Sequence, residues 1–245
     1  MEERKLRWGV TSPIYQSKVR GEFPDISDDS LILPRWIEAA HAPTLPRTRR
    51  PLIAADIARF GEDQTVIMLG KAVGYGPIAP TTMTTTGHIV NAIRDIDDEQ
   101  GKNDWVSAVV DVPGVGGGVV DRLVELGLPV IPYNVGEAPF DKERFVNARA
   151  EDYWTLRELF ETGEVDVDPE DDKFAAQLGS IKWGVDSRGR IKIESKNDMR
   201  KRGLPSPDRA DTAAMLFSGR ARGGQIDVES HAGESITGDL MTKAW

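Results

Sequence analysis

Short apolar runs separated by turn residues fill the middle of the chain, and longer segments with helical spacing fill its second half. Residues 52–57 are apolar except for Asp56 and read as a buried strand. Residues 59–64, containing Gly61, read as a turn into a second strand at 65–69. Residues 78–86, rich in β-branched threonine, read as a third strand, and residues 88–99 as a helix. A further buried strand spans 105–111 and ends on Asp111; a Gly-rich turn, a helix at 115–126 and a short strand at 129–133 follow it. The longest helix is expected over 142–161, stopped by Gly163, with a shorter one over 171–178. Residues 181–185 and 190–194 pair around a turn at 186–189. The last helix is expected over 207–217, with Ser206 as its N-cap and Pro207 in its first position. This order gives an α/β fold, a mixed β-sheet flanked by helices.

Residues 1–50 read as an N-terminal extension and linker, whose last part carries Pro43, Pro46, Pro51 and three arginines. The core is expected over 51–220, and 221–245 read as a flexible C-terminal tail, being Gly-rich, polar and non-periodic.

Four carboxylates stand out against this pattern. An acid inside an apolar strand costs several kcal/mol when buried without compensation, roughly, so Asp56 calls for a hydrogen-bonding turn or a cation. Asp111 repeats the arrangement at the end of its own strand, and sites in open α/β sheets form outside the carboxyl ends of strands. Asp208 and Asp211 share a face of the last helix. Asp208 sits in the first turn, where the helix dipole favours an acid, and Asp211 lies deeper among small apolar residues, which makes it the preferred third corner. Carboxylates without His or Cys suit hard cations, magnesium or manganese. The chemistry that uses them is phosphodiester hydrolysis at two metals about 3.5–4 Å apart.

The loop after Asp111 imitates a dinucleotide fingerprint, with Gly114 and Gly116 in place, but Val119 stands where the third glycine belongs. Gly116 and Gly117 suit a close backbone approach to a DNA phosphate instead. No Walker A pattern occurs. Lys196, Arg200, Lys201, Arg202 and Arg209 cluster before and within the last helix, where they are candidates for phosphate contact. Arg149 falls on the apolar face of the long helix and needs a partner, either Asp152 or the edge of the site.

Composition narrows these readings. The 245 residues contain no cysteine, which excludes thiolate metal sites, and only three histidines, His41, His88 and His231, too scattered for a metal pair. No apolar run is long enough to suggest a membrane segment. The net charge of −9 speaks against nucleic acid at first sight, but a carboxylate nuclease carries acid by design and needs only a local basic patch.

Ala55-Asp56-Ile57-Ala58-Arg59-Phe60-Gly61 resembles the first nuclease motif of tailed-bacteriophage large terminases. Asp111 with Gly114, Gly116 and Gly117 resembles their second. Asn147-Ala148-Arg149-Ala150-Glu151 resembles their Asn-Lys-Arg-Ala-Glu helix, with Ala148 in place of lysine. Pro207-Asp208-Arg209-Ala210-Asp211-Thr212-Ala213 resembles the closing helix, shared with Holliday-junction resolvases, with Thr212 in place of alanine. The resemblance spans about residues 9–218 and implies an RNase H-like C-terminal nuclease domain. It implies two metals held by Asp56, Asp111 and either or both of Asp208 and Asp211. Its implied partners are double-stranded DNA, a portal protein, a small terminase subunit and an ATPase domain upstream that this chain lacks. The implied setting is the infected host's cytoplasm, transiently at the procapsid portal. A resolvase or transposase-like nuclease on the same fold is the alternative enzyme. A non-catalytic DNA- or portal-docking module is the alternative without chemistry, and it requires that the carboxylates not converge.

Overall fold

The computed structural model describes residues 29–42, 52–58, 65–69, 71–75, 82–100 and 107–218. In chain order the elements are α1 (Pro34–Ala39), β1 (Leu52–Asp56), β2 (Thr65–Leu69), β3 (Lys71–Tyr75), α2 (Thr82–Gln100), β4 (Ser107–Asp111), α3 (Gly116–Glu125) and β5 (Val130–Tyr133). They continue with α4 (Ala148–Thr162), α5 (Asp172–Ser180), β6 (Trp183–Val185), β7 (Ile191–Ile193), α6 (Lys196–Lys201) and α7 (Asp208–Leu216). Five strands form one sheet in the order β3-β2-β1-β4-β5; β6 and β7 form a separate hairpin. β1 runs antiparallel to β2 and parallel to β4, and β4 runs parallel to β5.

Both faces of this sheet are covered, which explains why β1 and β4 are almost continuously apolar. Ile53, Ala55, Ala108 and Val110 face one core, packed with Ile89 and Ile93 of α2 and Leu123 of α3. Ala54 and Val109 face the other, packed with Tyr153 and Leu156 of α4 and Ala210, Ala213 and Ala214 of α7. Side chains alternate along a strand, so Asp56 and Asp111, two residues beyond Ala54 and Val109, belong to the face that α4 and α7 cover.

Several boundaries differ from the sequence expectation. The third strand is β3, and residues 82–86, expected in a strand, form the first turns of α2. Their threonines tolerate the helix because Thr86 Oγ1 donates to the Thr82 carbonyl at 2.7 Å and Thr85 and Thr86 are buried. The long helix starts at Ala148, where the Asn147 side chain accepts from Ala150 N. It ends as expected at Gly163, left-handed with φ 75°. α6, where the sequence reading assigned no element, is capped by Ser195, whose hydroxyl accepts from Asp198 N. α7 starts at Asp208 with Pro207 in the cap position, and Ser206 does not cap it: its hydroxyl donates to Asp208 instead. The tail at 221–245, the linker at 43–51 and the turn at 59–64 lie outside the described residues. Among the described residues no helix is long and apolar enough to cross a membrane.

Residues 29–42, within the stretch read as an extension, are built into the core. Leu31 and Ile32 are fully buried, Leu31 N donates to the Ile181 carbonyl at 3.0 Å, and Val167 N donates to the Ala40 carbonyl at 2.8 Å. Leu31→Ala is therefore expected to lower unfolding free energy by about 2–5 kcal/mol in urea titration; a loss below about 0.5 kcal/mol would mean that this segment does not belong to the folding unit.

Candidate active site and metal centre

Ala55 pairs with Val110 across the parallel β1–β4 ladder, so the next residue on each strand is a carboxylate. Burial pushes the Asp56 carboxyl up to about 8; Lys196 opposes this, and Asp211, Asp111 and Asp208 reinforce it. Burial likewise pushes Asp111 up to about 6, again opposed by Lys196 and reinforced by Asp211. α7 packs across β1 and β2 and carries the third carboxylate to the same place.

Asp211 is the most heavily held of the three. Tyr153 OH donates to its Oδ1 at 2.6 Å, and Arg149 Nη2 donates to the same atom at 3.1 Å. Lys196 Nζ forms an ion pair with Oδ2 at 2.9 Å. Burial alone would raise the Asp211 pKa, but Arg149 and Lys196, with the Tyr153 hydroxyl, outweigh it and hold the carboxyl below its usual range. Burial alone would lower the Lys196 pKa, and Asp211 and Asp56 reverse that, so the ammonium stays charged. Arg149, whose simplest partner in sequence was Asp152, reaches Asp211 and the Glu194 carbonyl instead and lies 4.7 Å over the Tyr153 ring.

Asp56, Asp111 and Asp211 line one cleft of about 340 Å³, with Lys196, Arg149 and Tyr153. Asp208 is buried beside them at 4% exposure; its charge is felt at Asp56 and Lys196, but it is not part of the cleft wall. Tyr133 and Asp152, joined by a 2.5 Å hydrogen bond, form another part of the wall. Sequence reading missed this pair and Tyr153: a tyrosine at i+4 from Arg149 was visible, but its target on α7 was not.

The five basic residues expected to meet phosphate together are divided by the fold. Lys196 is in the cleft. Arg202 is held by Glu194 at 2.7 Å and by the Ser180 carbonyl at 2.7 Å, and Arg209 pairs with Asp171. Lys201 pairs with Asp198 on the exposed side of α6, where Arg200 also lies.

The glycine loop has a structural assignment. Gly114 adopts φ 83°, which a residue with a side chain rarely does. At Gly116 an added Cβ would collide with the Asp111 carbonyl oxygen and come within 2.8 Å of its carbon, whereas at Gly117 the nearest atom is 3.8 Å away. α3 thus starts directly against the backbone that carries Asp111.

The donor set fits a hard divalent cation: it is all carboxylate, and Asp111 Oδ1 is buried without a hydrogen-bond partner among the described residues. As the side chains stand, no three acidic or histidine groups among the described residues are close enough to hold one ion. Lys196 supplies positive charge to all three carboxylates, and Arg149 adds to it at Asp211.

A sheet in this order, flanked by helices on both faces, is an α/β fold of the RNase H-like kind. Solved large-terminase nuclease domains share it: the nuclease domain of the large terminase subunit gp2 of bacterial virus Sf6 aligns with a TM-score of 0.62 and 19% identity, over 77% of this chain and 98% of that one. The large terminase nuclease from thermophilic phage G20c with bound magnesium aligns with a TM-score of 0.52 and 16% identity, over 78% and 97%. In sequence the chain is similar to the probable terminase large subunit of Enterobacteria phage P7, 28% identical over 253 residues. That match covers 91% of this chain and 49% of the relative, so the chain spans about half the relative's length. No family model matches.

Gly116→Ala is expected to destabilise the protein and perturb Asp111, and Gly117→Ala to do neither; Tm and amide shifts around Asp111 report both, and equal behaviour of the two variants would remove the special role of Gly116. A second expectation concerns pH. Asp56 and Asp111 have folded-state pKa values above the ordinary 3.8, so the folded chain binds the extra protons. Their contribution is complete below that ordinary value and is lost as pH rises through about 6 and about 8. In EDTA, Tm should fall between about pH 4 and pH 8, and Asp56→Asn should flatten the upper part of that fall. A Tm that rises over the same range would contradict the burial of these groups.

Proposed function

We propose that the chain is the nuclease part of a tailed-phage large terminase subunit, a divalent-metal-dependent endonuclease that cuts concatemeric double-stranded viral DNA during packaging. The observation that carries this reading is that Asp56, Asp111 and Asp211 line one cleft, whereas a purely structural docking module gives them no reason to share one.

Asp56 and Asp111 offer carboxylate oxygens from the ends of adjacent strands, and Asp211 offers its own from the opposite wall, oriented by Tyr153 and Arg149. Asp208 reinforces the negative field from beneath. Bound magnesium or manganese would supply a water of lowered pKa and Lewis-acid stabilisation of the leaving 3′-oxygen. Lys196, charged and at the cleft, attracts the scissile phosphate and limits repulsion among the acids. Arg200 and Lys201, on the exposed side of α6, would contact the flanking duplex backbone. In the whole subunit an ATPase domain, a portal protein and a small terminase subunit would deliver the DNA, in the infected cell's cytoplasm. Magnesium in the G20c nuclease supports the choice of metal.

Supercoiled plasmid incubated with manganese or magnesium should be nicked and linearised, and EDTA, Asp56→Ala or Asp211→Ala should each abolish cutting. Tyr153→Phe, which removes one donor from Asp211, should weaken metal binding or activity by about 10- to 100-fold. Undiminished cutting in EDTA or by folded Asp211→Ala would overturn the assignment.

A further inference from the structure

α7 carries two of the four carboxylates, yet its own sequence does not finish its N-terminus. Pro207 occupies the cap position and makes no side-chain cap, and the hydroxyl of Ser206 is turned to Asp208. The first amides of a helix need acceptors, and buried amides left without them are costly. They are satisfied from another helix. Gln177 of α5, 4% exposed, accepts through Oε1 from Arg209 N at 2.9 Å and from Ala210 N at 3.2 Å. Its Nε2 donates to the Ser206 carbonyl at 3.2 Å, so one side chain holds both the incoming strand and the first turn. Asp171, which caps α5 itself by accepting from Phe174 N, also binds the Arg209 guanidinium. α5 therefore grips α7 at two points immediately before Asp211. Gln177 does not line the cleft.

We infer that Gln177 is a positioning residue for the site: by capping α7 from α5 it sets where Asp211 stands relative to Asp56 and Asp111, and hence how well the three hold a divalent cation. This rests on the reading of Asp211 as a metal ligand. A helix turn without its cap frays, and fraying here moves a ligand rather than a solvent-facing end. The grip also accounts for Arg209, which the fold engages in holding α7.

The test uses the 245-residue chain and two readouts that do not depend on catalysis. Gln177→Met keeps the length and removes all three hydrogen bonds; Gln177→Glu keeps an acceptor for Arg209 N and Ala210 N. Leu123→Ala, in the core on the other face of the sheet, is the control for general destabilisation. Amide hydrogen exchange reads the first turn of α7. Free manganese, followed by electron paramagnetic resonance well below each Tm, reads affinity. Gln177→Met should speed exchange at Arg209 and Ala210 and weaken manganese binding by about tenfold or more. Gln177→Glu should stay close to wild type in both, and Leu123→Ala should lose Tm with its affinity unchanged. Wild-type manganese affinity in Gln177→Met, or an equal loss in Leu123→Ala, overturns the inference alone. A wild-type chain that binds no manganese overturns the metal reading and this inference with it. Gln177→Glu keeps the inference falsifiable if the Met variant does not fold: a tenfold loss there contradicts it.

Discussion

The removal of carboxylates from water is the constraint on which the rest of this structure turns. An ionised group taken out of water costs several kcal/mol, roughly, unless it is paired, a large fraction of a domain's stability. Asp56, Asp111 and Asp211 meet at the edge of a sheet buried on both faces, with Asp208 behind them. The fold answers in two ways. Burial keeps the Asp56 carboxyl mainly protonated near neutral pH and raises Asp111 only to about 6. Asp211 instead stays ionised, because Arg149, Lys196 and Tyr153 converge on it. Asp111 is left with a buried oxygen that has no hydrogen-bond partner among the described residues, and the helix carboxylate is the one already oriented.

The surrounding elements follow from this division. β1 and β4 must be parallel neighbours in that register to place two acids side by side, and α3 must approach closely enough that only glycine fits against Asp111. α4 serves the opposite wall, with Arg149 and Tyr153 turned to α7 and Asp152 to Tyr133 on β5. Each wall is thus held by partners from elsewhere in the chain, a common way of fixing ligand geometry.

Sequence disclosed the features whose cause is local. Asp56 and Asp111 stood out because an acid in an apolar run is anomalous wherever it occurs, Asp211 because it lies among small apolar residues of the last helix, and element order gave the α/β class that the motif resemblance narrowed to RNase H-like. The Asn147 cap and the Gly163 stop are local chemistry too, although only the stop was placed correctly, since the turn at 141–147 has helix-compatible residues. The threonines of 82–86 misled because β-branching is a weak preference that packing overrides: Thr85 and Thr86 are buried in the helix, and Thr86 donates its hydroxyl to the Thr82 carbonyl. Tyr153 on Asp211, Tyr133 on Asp152, Arg202 on Glu194 and Gln177 on α7 were invisible for one reason: each joins residues whose proximity is created by the tertiary fold.

The incorporation of residues 29–42 bears on how the molecule can be divided. A fragment begun at the proline-rich stretch around residue 51 would look natural from composition, since prolines and arginines there resemble an interdomain joint. It would leave behind Leu31, Ile32 and Ile37, whose burial covers α4 and α5. The uncovered surface would be an apolar patch beside the helix that holds α7, a site for self-association. A division of this chain that keeps its core intact therefore keeps residues 29–42 with the helices they cover.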